Sequence, residues 1–197
     1  MDFAISNWLY NTFGANKAFA IFWAIVSFLG NTWAVVVTAA VMLCFKKTRK
    51  LGLYIAITCI FVFVANSLVI KPIIERPRPF VSHPEFTIMC ENAKMELPKN
   101  YSMFSGHAAN SMAMAMLAFK FSKKWGGISF IYPFMIGISR IALCVHYATD
   151  VLAGWIFGAV VALGFYYLME MFIKNYKLSK GKNNGKDSSS ISESTQD

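Results

Sequence analysis

Long apolar runs, most of them closed by a short polar or basic cluster, dominate the pattern of this 197-residue sequence. Residues 51–70 form one such run, interrupted only by Asn66 and Ser67. At ~1.5 Å per helical residue, its ~20 residues cover the ~30 Å hydrocarbon core of a bilayer. Further apolar runs lie at residues 106–121, 128–145 and 147–173. Because a helix satisfies its own backbone hydrogen bonds, the pattern predicts membrane-spanning α-helices.

The N-terminal residues predict a more complicated entry into the membrane. Residues 1–16 carry apolar side chains at roughly helical spacing, which predicts a short amphipathic helix at the membrane interface. Residues 17–45 are longer than one crossing requires, and Gly30-Asn31 is expected to break them. Residues 32–45 complete a crossing, whereas residues 18–29 lie at the interface, tilt, or begin a long first span. We therefore predict an all-α membrane helix bundle of five transmembrane helices, or six if residues 18–29 cross separately.

The composition agrees with a membrane protein. Hydrophobic residues make up 56% of the chain and charged residues only 15%, with a mean hydropathy of +0.47. The net charge of +9 would suit a nucleic-acid-binding protein, but the basic residues stand in short clusters that end apolar runs. Membrane topology explains such clusters, so no nucleic-acid partner is predicted.

The same clusters predict an orientation. With five spans, the clusters at residues 46–50 and 120–124 and the tail lysines fall on one side, which the positive-inside tendency makes cytoplasmic. The polar loop at residues 72–104 then faces the outside or the periplasm, in a plasma or inner membrane. Residues 1–173 are predicted to form the membrane-embedded domain, and residues 174–197 a disordered cytoplasmic tail.

The long loop and the cysteines add two expectations. Residues 72–104 hold five of the six prolines, and loops of that length are usually functional or disordered. The four cysteines show neither metal-ligand spacing nor a disulfide framework. A bond between Cys90 and Cys144 is one option, and unpaired thiols are the favoured prediction.

Charged and polar side chains near the end of the apolar run at residues 128–145 suggest a catalytic or binding site. If the segment from Tyr147 is helical, His146 and Asp150 stand four residues apart on one face, where the carboxylate can accept from one ring nitrogen. The other nitrogen is then free to act as base or nucleophile. Arg140 offers a planar fork of donors that suits phosphate oxygens. The plainer explanation is structural, with Arg140 and Asp150 as a buried ion pair.

Two other segments reach the same membrane face in the predicted topology. Lys71 and Arg78 lie among stiffening prolines, although basic side chains at a helix end commonly just extend to the interface. Ser105-Gly106 precedes a helix, where the hydroxyl and free N–H groups can cradle an anion or simply cap the helix. His107 is placed to protonate a leaving oxygen. The remaining histidine, His83, has no matching partner and is predicted to be structural.

Together, these residues resemble a known family. Lys71-x6-Arg78-Pro79, Ser105-Gly106-His107 and Ser139-Arg140-x5-His146-x3-Asp150 are similar to the three signature blocks of the type 2 phosphatidic acid phosphatase superfamily of integral membrane lipid phosphatases. The resemblance covers residues 51–173. Phe104 stands where that family usually has proline, which removes some rigidity from the loop but no catalytic group.

The resemblance implies a mechanism and a set of roles. His146 would attack phosphorus and become a transient phosphohistidine, with Asp150 orienting its ring. His107 would act as general acid for the leaving oxygen and then as base for water. The phosphoryl oxygens would be held by Lys71, Arg78, Ser105, the Gly106 backbone and Arg140. Fixed cations would stabilise the charge of the transferred group, so no metal and no other cofactor is predicted.

The expected substrate is a phosphorylated membrane lipid, because the site would lie at the outer interface of the bilayer. Small members of this family often resemble undecaprenyl-diphosphate phosphatases, which makes undecaprenyl diphosphate the first expectation. Phosphatidylglycerophosphate, phosphatidate and lipid A phosphates remain alternatives. Two other functional classes are an anion transporter and a membrane protein that binds lipid phosphate without hydrolysing it. A transporter is disfavoured because no matching set of charges lies at mid-depth.

Overall fold

The computed structural model describes residues 1–193, with side chains described for residues 1–180. This part of the chain is helical and has no strand, which confirms the all-α prediction. The α-helices are α1 Asp2–Phe13, α2 Lys17–Phe28, α3 Thr32–Cys44, α4 Arg49–Val64, α5 Lys71–Ile74, α6 Pro79–Ser82, α7 Thr87–Asn92, α8 Gly106–Phe121, α9 Lys123–Ser129, α10 Ile131–Ala142 and α11 Ala148–Glu193.

The break predicted at Gly30-Asn31 is present. Helix α2 ends at Phe28 and α3 begins at Thr32, with a bend of 42° between them. A Cβ atom on Gly30 would lie 2.7 Å from Ile136 Cγ2, so the glycine lets the break pack closely against α10. The short helix α1 forms within residues 1–16, as the apolar spacing predicts.

Helix α4 continues past the point where the sequence predicts its end. A π-helical turn, Ala65–Ile70, follows α4 and leads into α5, which ends where Glu75 adopts a left-handed conformation with φ 51°. In the wide turn, the Lys71 N–H bonds to Asn66 O, five residues back. Such a turn tolerates the missing N–H of Pro72, so the helical path continues for one turn beyond residue 70, where the apolar run ends.

The number of membrane spans stays a prediction. Two helical stretches of the described chain, Arg49–Ser82 and Ala148–Lys180, are long and apolar enough to cross a membrane. The bent pair of α2 and α3 is a third if it is counted as one span. Helix α8 starts and ends where the sequence predicts a span, but its 16 residues are fewer than the ~20 that usually cross a bilayer.

Helices α8 and α11 pack backbone to backbone at the centre of the bundle. A Cβ atom on Gly158 would lie 2.1 Å from Ala109 O, and one on Gly154 would lie 2.7 Å from Ser105 O. Only glycine allows this approach, which sets the start of α8 beside the start of α11. Gly164, further along α11, differs, because a Cβ atom added there would meet no atom within 4 Å.

The C-terminal part of the chain also departs from the prediction. Helix α11 extends to Glu193, whereas disorder is predicted from Lys174 onward. Once a transmembrane helix has formed, each added residue gains one hydrogen bond without a new nucleation step, and no proline interrupts residues 174–193. Residues 194–197, the last part of the predicted tail, lie outside the residues that the structure describes.

The long loop at residues 72–104 is ordered against the end of the bundle at which α8 and α11 begin. Phe86, Met89 and Cys90 are buried together with Leu143 and Val145, and α1 packs over this cluster. Both Cys90 and Cys144 are free thiols, as favoured from the sequence. This packing holds the short connection between α10 and α11, which carries His146.

Candidate active site

Residues from all three predicted segments line one cavity of about 210 Å³. Six of the eight candidate residues line it: Lys71, Arg78, Gly106, His107, Arg140 and His146. Ser105 and Asp150 lie behind the wall and are fully buried. The convergence depends on α5, α8, α10 and α11 placing their ends at the same level of the bundle.

The imidazole of His146 contacts a buried carboxylate. Its Nδ1 lies 3.5 Å from Asp150 Oδ2 and 3.4 Å from Ser102 Oγ, and the Ser102 hydroxyl donates to the same carboxylate oxygen. The Tyr147 N–H also donates to Asp150 Oδ2, at 2.9 Å, across the first turn of α11. A carboxylate beside Nδ1 favours a proton on that nitrogen and leaves Nε2 unprotonated toward the cavity.

The surroundings of His146 favour its neutral form. Burial lowers the pKa of His146 well below the usual range, and the positive charges of Arg78, Arg140 and Lys71 lower it further. The Arg78 Nη1 atom lies 3.3 Å from His146 Nε2. A neutral imidazole with a free nitrogen next to a fixed cation is suited to attack an anionic group.

The cations of the cavity are held by backbone and amide oxygens. Arg78 donates from Nη1 to Val145 O at 2.8 Å and from Nε to Asn100 O at 2.7 Å. Lys71 Nζ donates to Tyr101 O at 2.7 Å. Since these acceptors are neutral, the positive charges are left to attract an anion. Asn100 could not be identified from the sequence, because it is one polar residue among many in its loop.

Arg140 is not paired with Asp150, so the plainer structural explanation for these two residues was wrong. Its Nη1 donates to Ser27 Oγ in α2, and its buried Nε has no hydrogen-bond partner. Instead, Arg76 Nη1 contacts Asp150 Oδ1 at 2.6 Å. A buried, unpartnered guanidinium N–H beside the cavity is a donor available to a phosphate oxygen.

The second histidine is held by a residue that sequence reasoning missed. His107 Nε2 lies 2.9 Å from Asn31 Oδ1, and Asn31 belongs to the break between α2 and α3. Gly106, just before it, approaches Asn66 so closely that a Cβ atom would be 3.2 Å from Asn66 Nδ2. Ser105 acts as the N-cap of α8, since its Oγ accepts from the Ala108 N–H at 3.4 Å. The hydroxyl is therefore engaged in capping and does not line the cavity.

Two further features concern His83 and the residues that could bind a metal. His83 lies away from the cavity, with its ring 4.4 Å from that of Phe3, which agrees with a structural residue. Within the described residues, no group of three or more histidine, cysteine, aspartate or glutamate side chains could hold a metal ion.

An apolar groove of about 320 Å³ runs beside the cavity. It lies between α3 and α4 and is lined by Val35, Val36, Ala39, Ala40, Leu43, Ala56, Cys59, Ile60 and Phe63. Thr32, Phe63 and Asn110 belong to the walls of both the groove and the cavity. A polar head in the cavity can thus be continuous with an apolar chain in the groove.

Comparisons with known proteins agree with this geometry. The Undecaprenyl-diphosphatase of Sulfolobus acidocaldarius is 28% identical over 155 residues, covering 78% of this chain and 70% of that protein. Undecaprenyl-diphosphatase BcrC of Bacillus subtilis is 29% identical over 125 residues, covering 64% of this chain and 61% of that protein.

A solved structure shares the fold. The crystal structure of a transmembrane PAP2-type phosphatidylglycerolphosphate phosphatase from Bacillus subtilis matches with a TM-score of 0.65 and 24% identity, covering 86% of this chain and 85% of that one. The family model of the PAP2 superfamily matches residues 47–174. Because that match spans more than half of the chain and includes all three predicted segments, this protein belongs to the PAP2 superfamily and is a membrane phosphatase.

Proposed function

We propose that this protein hydrolyses undecaprenyl diphosphate to undecaprenyl phosphate at the outer face of the membrane, through a phosphohistidine. The observation that carries the proposal is the cavity itself, where two histidines and three cations surround one small space. The apolar groove beside it supports a lipid substrate, and the names of the two relatives support the diphosphate.

In the first step, His146 Nε2 attacks the terminal phosphorus. The P–O bond to the leaving group breaks as the N–P bond forms, and the proton of His107 passes to the departing oxygen. Arg78, Arg140 and Lys71 stabilise the charge on the three equatorial oxygens, which is the main requirement of phosphoryl transfer. Asp150 accepts from Nδ1 and stabilises the ring as it becomes positively charged.

In the second step, water hydrolyses the phosphohistidine. The now neutral His107 removes a proton from the attacking water, which forms a P–O bond as the N–P bond breaks. Inorganic phosphate leaves, and both histidines return to their starting states. Asn31 is in contact with His107 and fixes the ring for both proton transfers.

The proposal includes a topology. Five spans, with α2 and α3 as one broken crossing, place the cavity at the outer face and the basic clusters on the cytoplasmic side. The lipid would reach the cavity sideways, with its phosphate in the cavity and its chain between α3 and α4. Neither a transporter nor a non-hydrolysing lipid-binding protein requires two histidines around one phosphate.

A side-by-side assay of lipid phosphates tests the proposal. Purified protein is expected to release phosphate faster from undecaprenyl diphosphate than from phosphatidylglycerophosphate, phosphatidate or lipid A. Release is expected to continue in EDTA, since cationic side chains supply the charge stabilisation. Faster turnover of another lipid would change the substrate, and a strict requirement for added magnesium would contradict the site.

Filling the apolar groove is expected to weaken lipid binding. Ala40 lines the groove, and Ala40→Trp should raise KM for undecaprenyl diphosphate about tenfold, the equivalent of ~1.4 kcal/mol of binding. Turnover of a water-soluble phosphate ester should change little. The matched control is Val37→Trp, because Val37 is exposed on the same helix and does not line the groove. Equal effects of the two variants would show that the lipid chain lies elsewhere.

A further inference from the structure

The guanidinium of Arg76 joins the first turn of α1 to the first turn of α11. Its Nη1 contacts Asp150 Oδ1 at 2.6 Å and Thr149 Oγ1 at 2.8 Å, and its Nη2 contacts Asp2 Oδ2 at 2.7 Å. Neither Arg76 nor Asp2 lines the cavity. Asp2 also lies outside the residues that the family model matches.

The contact with Arg76 supplies a hydrogen bond to the Oδ1 atom of Asp150 and a positive charge beside its carboxylate. Asp150 is 0% exposed. Its Oδ2 accepts from Ser102 and from the Tyr147 N–H, whereas the hydrogen bond to Oδ1 comes from Arg76. Burying a carboxylate without a charged partner is costly in free energy, and Arg76 is the cation in direct contact with this one.

Arg76 is itself held in place from two other directions. Its Cζ lies 4.2 Å from the centroid of the Tyr147 ring. Asp2 accepts from the Thr149 N–H at 3.3 Å and from the Thr149 hydroxyl at 2.5 Å, so its carboxylate also caps the start of α11. Asp2 therefore fixes both the guanidinium and the helix turn that carries Asp150.

We propose that Asp2 and Arg76 are positioning residues, which hold Asp150 in the orientation that aligns His146 for attack. The inference rests on the proposed phosphohistidine mechanism. Helix α1 then contributes to the reaction, because Asp2 in its first turn holds the Nη2 atom of Arg76. Arg76 acts by restraining the Asp150 side chain, without touching the substrate.

The charged and titratable groups around Asp150 and His146 come from five parts of the fold. They are Lys71 of α5, Arg76 and Arg78 of the following loop, His107 of α8, Arg140 of α10, and Asp2 of α1. Of these, Arg76 is in hydrogen-bond contact with Asp150. Its removal should therefore act on Asp150 more than the removal of any other member of this set.

The test compares kcat and KM for phosphate release by the full chain. Arg76→Met is expected to lower kcat about 100-fold, as for a misplaced reacting group, with little change in KM. Arg76→Lys should recover part of the lost kcat, because an ammonium group can still pair with the Asp150 carboxylate.

Asp2→Asn provides the second, milder variant. It is expected to lower kcat less than Arg76→Met, and the double variant should be no slower than Arg76→Met alone, since both act through one contact. Lys17→Met is the matched control, because Lys17 is an exposed cation at the start of α2. It should leave both kcat and KM unchanged.

The outcomes separate this inference from the proposed function. If the wild type releases phosphate but Arg76→Met keeps the wild-type kcat, or raises KM and leaves kcat unchanged, the positioning role is overturned and the function stands. Multiplying losses in the double variant would likewise overturn it. If the wild type releases no phosphate from any lipid, the proposed function itself fails.

Discussion

Replacing His146 by alanine should lower phosphate release from undecaprenyl diphosphate by roughly 10⁴-fold or more, as expected when a nucleophile is lost. The side chain is buried and lies in the connection between α10 and α11, where an alanine leaves the cations of the cavity in place. Substrate binding should therefore persist while chemistry stops. Phosphate release measures the loss, and acid-labile phosphoprotein after rapid quenching reports the intermediate.

His83→Ala is the matched control for this variant. His83 packs against Phe3 and Phe86 outside the cavity, so its loss should leave turnover and labelling near the wild-type level. Labelled phosphoprotein in His146→Ala, or substantial turnover, would show that another group attacks phosphorus.

Replacing His107 by alanine should slow the first step by ~10²–10⁴-fold for lipids whose leaving group is an alcohol. Loss of a general acid matters less when the leaving oxygen carries its charge easily. The deficit should thus shrink for a nitrophenyl phosphate, and the phosphohistidine should accumulate because its hydrolysis lacks a base. Rapid-quench labelling with both kinds of substrate measures the two effects.

An equal loss for good and poor leaving groups would remove the general-acid role of His107. His83→Ala again serves as the control, because it removes an imidazole from outside the cavity. Retention of the Asn31 contact makes His107→Gln a useful companion variant, since glutamine can still hydrogen-bond Asn31 but cannot transfer a proton.

The residues at the core of the candidate site stand out chemically in the sequence. Arg140, His146 and Asp150 interrupt apolar runs, and such groups in a membrane protein need partners or a function. The start of α8 at Gly106 was equally predictable, since Ser105 is a typical N-cap. Gly30-Asn31, in an apolar run too long for one crossing, predicts the break between α2 and α3 as well.

The residues that support the site were not predictable in the same way. Asn31 looks like an ordinary helix break, Ser27 like a polar residue in an apolar helix, and Asp2 like part of an interfacial segment. Each acquires its role only from a contact across the fold, at sequence separations of 76, 113 and 74 residues respectively. Arg76 lies between Lys71 and Arg78 in the sequence, so the pattern alone does not show which of these three cations contacts Asp150.

The π-helical turn at Ala65–Ile70 governs the direction in which Lys71 points. Each residue in an α-helix advances the side chains by ~100° around the axis. A chain shorter by one residue here would wind regularly through Pro72 and would swing the ammonium group away from Tyr101 and the cavity. The number of residues in this turn therefore matters more than the identity of their side chains. Deletion of one residue here should reduce activity more than most substitutions in the turn.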